Sequence, residues 1–465
     1  MSLRAPGTEI DGFCLGETVH VGGMAWIHRL VGPKGPLPLV MKIPRLAASQ
    51  PAANVISFEV ERMVLGSLTQ SAHAPTLVAY GELEATPYLV MEYVEGTRLT
   101  EWLGRTPLPA KEIARLGAAL ALALYDLHRQ DVAHLDVKPG NVLYRASGTA
   151  VLIDFGLSHH AHFPDLLAEG LSFPVGNWPY MSPEQVLGVR CDPRSDIFAL
   201  GAILYQLATG RLPFGSPDSI ADLRRRLYRE PLPPRAIVPE TPEWLQEVIL
   251  HCLEVDARAR YASSADIAFD LANYARIVPG ERGLRSRPPG WTTQLRRWAQ
   301  ARHFEPAPCP PPSTPAGGSR LVVMALAPEV KEDALLDEAM RAAAHAIAMA
   351  DPRCRIACVT VVPPAASLSG EGAESSAAAR HLKRLVELRA WAKPLDLPEE
   401  RVTCHVLEGD KPAETLIEYA ALNDAVQILI GAPASRTARR SSEECARIVD
   451  AAPCTVTVIR PPAAS

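Results

Sequence analysis

The chain has 465 residues, with 47 Lys plus Arg, 52 Asp plus Glu and 48% apolar residues. At about 150 residues per domain this is room for roughly two to four domains, each able to bury a core. A net charge of −5 does not call for nucleic acid as a partner and forces no large basic patch. No run reaches the ~20 apolar residues of a membrane span, and the opening MSLRAPGTEIDGF lacks the apolar stretch of a signal peptide, so the expected setting is cytoplasmic.

Residues 11–105 read as short strands around one helix. LVMKI (39–43) and YLVMEYV (88–94) are strand-like apolar runs, and SFEVERMVLGSL (57–68) repeats its apolar residues at helical spacing. Residues 109–275 read as mostly helical. The strongest segments are 110–130, 196–210 with Gly210 as its stop and Pro213 beyond, and 241–254 with Thr241 as cap and Pro242 at the first helical position. AALALALY (118–125) is too short to span a bilayer and reads as a buried helix. Pro, Gly and Ser then crowd residues 279–319, the mark of a linker, around a short basic stretch with Arg296 and Arg297 that reads as a solvated helix. From Leu321 strands (321–326, 355–362, 401–407, 425–431, 455–460) alternate with helices (331–350, 375–392, 412–422, 441–452). That alternation specifies a five-stranded parallel α/β sheet. The nine cysteines are scattered, odd in number and lack a C-x-x-C pair, which argues against a disulfide framework and a zinc site.

The chemistry concentrates in HLDVKPGNVL (134–143), VLIDFG (151–156) and YMSPEQ (180–185). Phosphoryl transfer needs a group that accepts the proton of the attacking hydroxyl, oxygen ligands for magnesium, and a cation on the phosphates. Asp136 offers the base, and Lys138 a charge for the transferred group. Asn141 and Asp154 offer hard oxygen ligands. Lys42 sits in an apolar strand, where its charge needs a partner; Glu61 on the following helix supplies one, with Glu59 as the alternative.

On these motifs, in this order, residues 11–275 resemble the eukaryotic-like serine/threonine protein kinases of bacteria. The resemblance implies a bilobal α+β fold with a small lobe over about 11–93 and a large lobe over 94–275. It implies ATP and Mg2+ as cofactors and protein Ser/Thr hydroxyls as acceptors, with no nucleic acid and no membrane span. VHVGGMAWI (19–27) then resembles the phosphate loop, so His20, Val21, Gly22, Gly23, Met24, Ala25 and Ile27 would line the nucleotide with Lys42. Backbone atoms of Glu92 and Val94 would bind adenine, and Met91 either faces that pocket or packs in the core. Asp136 would be the base, Asn141 and Asp154 the magnesium ligands, Glu61 the partner of Lys42. Glu184 would pair with Arg260, and Asp196 would brace the catalytic loop.

Three departures from the pattern stand out. His20 and Ala25 replace glycines of the phosphate loop. Leu135 replaces the arginine that pairs with an activation-loop phosphate, and residues 157–179 carry only Ser158 and Ser172 as hydroxyls, so the expectation is activity without loop phosphorylation. Asn177 replaces a threonine that contacts the catalytic Asp and Lys. The intact set of Lys42, Asp136, Asn141 and Asp154 favours an active protein kinase over a nucleotide-sensing pseudokinase scaffold or a small-molecule kinase. His159, His160 and His162 suggest a metal only superficially and are expected to be solvated loop residues.

Residues 276–319 are the linker, and 320–462 resemble the universal stress protein family. The resemblance implies a regulatory or dimerising module. Its nucleotide loop is degraded: Gly431 matches, but Ala434 and SSEE (441–444) replace the other glycine and hydroxyl positions, and LVVMALAP lacks an acidic end. TVTVIR would be an exposed edge strand through which two copies form a homodimer.

Overall fold

A computed structural model describes residues 4–32, 37–45, 52–68, 71–81, 86–167, 176–287, 291–301, 304–310, 320–327, 334–351, 353–363, 373–398, 401–423, 425–432 and 439–461. The first unit opens with β1 (Glu9–Ile10), β2 (Phe13–Val21), β3 (Ala25–Val31), β4 (Leu39–Pro44), helix α1 (Ala52–Ser67), β5 (Leu77–Gly81) and β6 (Tyr88–Glu92). The strands form one antiparallel sheet in the order β1-β2-β3-β4-β6-β5. Its β-branched and aromatic runs alternate between two faces. One face closes over Leu15, Trp26, Met41, Ile43 and Val90. The other, with Val40 and Leu89, packs against Val55, Phe58 and Val64 of α1.

Below it lie β7 (Thr97–Arg98), α2 (Thr100–Leu103), α3 (Ala110–Arg129), β8 (Val132–Ala133), β9 (Val142–Tyr144), β10 (Ala150–Leu152) and β11 (His159–His160). Then come α4 (Pro183–Val186), α5 (Arg194–Thr209), α6 (Ile220–Leu223), α7 (Pro234–Ile237), α8 (Glu243–Cys252), α9 (Ser264–Ala272), α10 (Glu281–Leu284) and α11 (Trp291–Ala301). α3 and α5 form the centre. Leu116, Leu120, Leu124 and Leu127 of α3 recur every three to four residues and are fully buried, and α5 is buried almost throughout. Gly210 ends α5 in the left-handed conformation at φ 70°, as its sequence position suggests. Thr241 does not cap α8. Pro242 holds the N-cap and its carbonyl accepts from Leu245 and Gln246, while the Thr241 N–H closes the preceding turn onto Val238 at 3.0 Å.

The second unit holds β12 (Arg320–Leu326), α12 (Ala334–Ala350), β13 (Cys354–Val362), α13 (Ala373–Ala392), β14 (Val402–Glu408), α14 (Pro412–Leu422), β15 (Gln427–Gly431), α15 (Arg439–Ala451) and β16 (Thr455–Ile459). All five strands run parallel, in the order β14-β13-β12-β15-β16, so the expected sheet is present and β16 is its edge. No helix among the described residues is long and apolar enough to cross a membrane.

Three further expectations fail here. Cys191 and Cys309 form a disulfide across 118 positions of sequence, tying the linker to the helical lobe beside the Arg194 to Pro308 hydrogen bond. Arg297 of the basic helix is not a solvated charge but pairs with Glu230, as does Arg285 at 2.7 Å. The histidine cluster is not solvated either: β11 pairs with β8, His160 is buried and stacked 4.1 Å from Phe163, and His162 bonds Asp131 at 3.0 Å. Burial and the nearby His162 and Arg355 push the His160 imidazole down to about 3, and burial alone pushes His405 in β14 to about 3. Such groups stay neutral when folded but take up protons when unfolded below pH ~6.5. The unfolded chain therefore binds more protons as pH falls, and stability drops from about pH 6.5 toward 3. Between pH 7 and 5 each such histidine should cost about 2 kcal/mol. His405→Leu should remove its share, read as a smaller loss of denaturant-unfolding free energy over that interval; an unchanged loss would refute this.

Candidate active site

β4 carries Lys42 between Ile27 of β3 and Leu89 of β6. Its side chain points under the sheet toward α1, where Glu61 lies at 2.6 Å, and toward Asp154 beyond β10, at 3.0 Å. Glu61 is 2% exposed. Burial alone would lower the Lys42 ammonium, but Asp154 and Glu61 outweigh it and hold the group above its usual value. Lys42 in turn holds the Asp154 carboxyl below its ordinary range. Glu61, not Glu59, is thus the carboxylate at Lys42; Glu59 faces elsewhere.

Asp136 follows β8 in a loop with a strained turn. Leu135 has φ 60° and Asp154 has φ 68°, both in the left-handed region that non-glycine residues avoid. Asp196, buried in the first turn of α5, accepts from the N–H groups of His134 and Leu135, each at 2.8 Å, and from His128 at 2.9 Å. Gln185 donates to the Leu135 carbonyl at 2.9 Å. Both polar backbone atoms of the strained residue are therefore captured by buried side chains. Asp136 then receives three donors: Lys138 Nζ at 2.5 Å, Asn141 Nδ2 at 3.0 Å and the Asn177 backbone N–H at 3.2 Å. Asn177 reaches Asp136 through its backbone. Beneath, Glu184 and Arg260 form a two-pronged buried pair at 2.7 and 2.8 Å, with Ser195 donating to the same carboxylate at 2.7 Å. Burial alone would raise the Glu184 carboxyl; Arg260 outweighs it and keeps it low.

The turn between β2 and β3 is closed by its own hydrogen bonds. The Gly22 N–H donates to the Ala25 carbonyl at 3.0 Å, and Arg45 donates to the Gly22 carbonyl at 3.1 Å. His20 pairs opposite Ile27, and its ring sits where a Gly22 Cβ would come within 3.3 Å. Val21 and Met24 are exposed at the tip. Glu92, which ends β6, and Val94 are buried, and the Glu92 carboxylate pairs with Arg145 at 2.6 Å. Met91 is buried in the main core. Asn141 and Asp154 are the oxygen donors near Asp136, and no cluster of three or more His, Cys, Asp or Glu able to hold a metal occurs among the described residues. Ser158 is buried, its hydroxyl donating to the His134 carbonyl at 3.1 Å; Ser172 lies outside the described residues.

Sequence reasoning missed Gln185, His128 and Arg45. The Ser182–Gln185 capping box was readable as a helix start, but nothing local indicates that the α4 residue Gln185 reaches Leu135. In the second unit Gly431 ends β15 against Met340 and Leu336, and Ala434 lies outside the described residues.

Residues 40–269 match the protein kinase domain family, and residues 334–460 match the universal stress protein family. The kinase match begins after the Gly22–Gly23 turn. Serine/threonine-protein kinase Pkn1 of Myxococcus xanthus is 33% identical over 296 residues, 61% of this chain and 39% of that protein. Serine/threonine-protein kinase PknB of Mycobacterium tuberculosis is 28% identical over 287 residues, 60% of this chain and 45% of that one. The chain thus spans less than half the length of either relative. The kinase domain of Mycobacterium tuberculosis PknI aligns at 21% identity and a TM-score of 0.45, over 58% of this chain and 99% of that one. The chain carries a domain of the protein kinase family and, behind it, a domain of the universal stress protein family.

Proposed function

We propose that this chain transfers the γ-phosphoryl group of ATP to serine or threonine hydroxyls of protein substrates. The observation that carries the reading is the joint placement of Lys42, Glu61 and Asp154 on one side of the cleft and Asp136, Lys138 and Asn141 on the other.

Each group has a task its surroundings favour. Asp136 is aimed by three donors and accepts the proton of an incoming hydroxyl. Lys138, bonded to the same carboxylate, brings a positive charge to the group in transit. Lys42 is kept charged and fixed by Glu61, so it presents a cation to phosphate oxygens without rearranging. Asn141 spends its amide nitrogen on Asp136, which leaves its oxygen for a metal, and the Asp154 side chain is 49% exposed to the cleft. Bound magnesium would be held by Asn141 and Asp154 and would neutralise charge on the phosphates. Glu92 and Val94 would offer backbone groups to adenine, and the His20–Ile27 turn would cover the phosphates. β16, at the sheet edge, would be the strand through which two copies pair.

Asp136→Asn should lower transfer of labelled phosphate from ATP to protein by about a hundredfold or more in the full-length chain. No transfer by the wild type with ATP and magnesium would overturn the proposal. Ser158→Ala combined with Ser172→Ala should keep transfer at the wild-type level, because Leu135 offers no cation to a loop phosphate and the Ser158 hydroxyl is buried. Abolished transfer in that pair would show that a loop hydroxyl is required.

A further inference from the structure

α1 carries two glutamates two positions apart. At 3.6 residues per turn they leave the helix on nearly opposite sides, about 160° apart. Glu61 turns inward to Lys42 at 2.6 Å. Glu59 turns outward but is not on the surface: it is 4% exposed, because α13 of the second domain packs against α1. Its carboxylate takes Arg62 at 3.3 Å and Arg389 of α13. Around this pair Leu385 and Leu388 of α13 join the same apolar cluster as Val60 and Val64 of α1.

The second domain also grips the chain just beyond Asp154. Arg355 of β13 donates to the His162 carbonyl, and its guanidinium lies 4.9 Å over the Phe163 ring. Asn423, after α14, accepts from the Asp165 N–H at 3.1 Å. Asp165 pairs through its carboxylate with Arg190 at 2.8 Å, and Arg190 also donates to the Leu157 carbonyl at 2.8 Å. The two elements held from outside are thus the helix that supplies Glu61 and the segment that follows Asp154. These are the two partners of Lys42.

We propose that the universal stress protein domain is a clamp on the kinase domain. Through Arg389 on Glu59, and Arg355 with Asn423 on residues 162–165, it holds Glu61 and Asp154 against Lys42 and so sustains phosphoryl transfer. Glu59, Arg389 and Arg355 are positioning residues: none touches the reacting groups. The clamp provides the order that a loop phosphate on an arginine would otherwise give, at a site where Leu135 stands. Anything that binds the second domain and favours its release shifts α1 away from Lys42 and lowers activity by population shift.

This inference rests on the kinase reading, and the experiment separates the two. Full-length wild type, Arg389→Glu, Arg355→Ala and the swap Glu59→Arg with Arg389→Glu are compared by kcat and KM for phosphate transfer, and by hydrogen exchange of the α1 amides. Arg389→Glu should lower kcat about tenfold and speed α1 exchange, and Arg355→Ala should act in the same direction. The swap should restore both readouts. Unchanged kcat and unchanged α1 exchange in Arg389→Glu and Arg355→Ala would overturn the clamp while leaving the kinase reading intact. Should Arg389→Glu not fold, Arg355→Ala and the swap decide. An inactive wild type would overturn the kinase reading alone; α1 exchange, which needs no catalysis, would still decide the clamp.

Discussion

A half-buried ammonium group governs the arrangement of the kinase domain. Lys42 lies in a strand whose neighbours are apolar, and a charge there is tolerated only with carboxylates in reach. Glu61 and Asp154 meet that need from opposite sides. The requirement fixes how closely α1 lies under the sheet, which way round it faces, and where the chain must run after β10. Removing either carboxylate would leave a desolvated cation, so the electrostatics of the cleft and the packing of the small lobe are one constraint. The same geometry holds the Lys42 ammonium at the edge of the cleft, between the two carboxylates.

The opposite wall rests on a different device. The loop before Asp136 stores backbone strain at Leu135, which stays in place because a buried carboxylate and a buried amide hold both of its polar backbone atoms. Asp196 and Gln185 sit on α5 and α4, and the α4 residue next to Gln185, Glu184, is locked to Arg260 through the buried ion pair. Strain at the site is thereby offset by packing well below it. A residue such as Arg260, far from any substrate, matters to the chemistry because it fixes the platform on which the loop is built.

Much of this was legible in the sequence because the chemistry is local. H-x-D-x-K-x-x-N places three side chains in one tight loop, and D-F-G follows a short hairpin, so their convergence needs little information about distant parts of the chain. The parallel sheet was legible for a related reason: its strand and helix periods alternate without interruption from residue 321. What was not legible depends on contacts between distant segments. Cys191 and Cys309 are 118 positions apart, and only the path of the linker brings them together. The histidines looked like loop residues because nothing near them in sequence shows that β8 pairs with them from one side and Arg355 faces Phe163 from another. Glu59 and Glu61 both stood on a helix after Lys42, and choosing between them required the helix's rotation, which the apolar pattern alone left open.

That rotation gives the ambiguity a physical meaning. Two acidic residues two positions apart on an exposed helix would ordinarily be one functional group and one solvated neighbour. Here both are buried, each against a basic residue of a different domain: Lys42 below, Arg389 above. A helix held by charge on two faces cannot move toward one partner without leaving the other. Its position is therefore sensitive to whether the second domain stays in place, and the cleft inherits that sensitivity through Glu61. Leu135 stands where an arginine would read a phosphate, and Ser158 turns inward onto the His134 carbonyl. Among the described residues, the segment after Asp154 is anchored within the domain by the β8–β11 pairing, by His162 on Asp131 and by Arg190 on Asp165, and from outside by Arg355 and Asn423. The joining of these two domains in one chain then has a mechanical reason: the second adds contacts to those of the first at the two elements on which Lys42 depends.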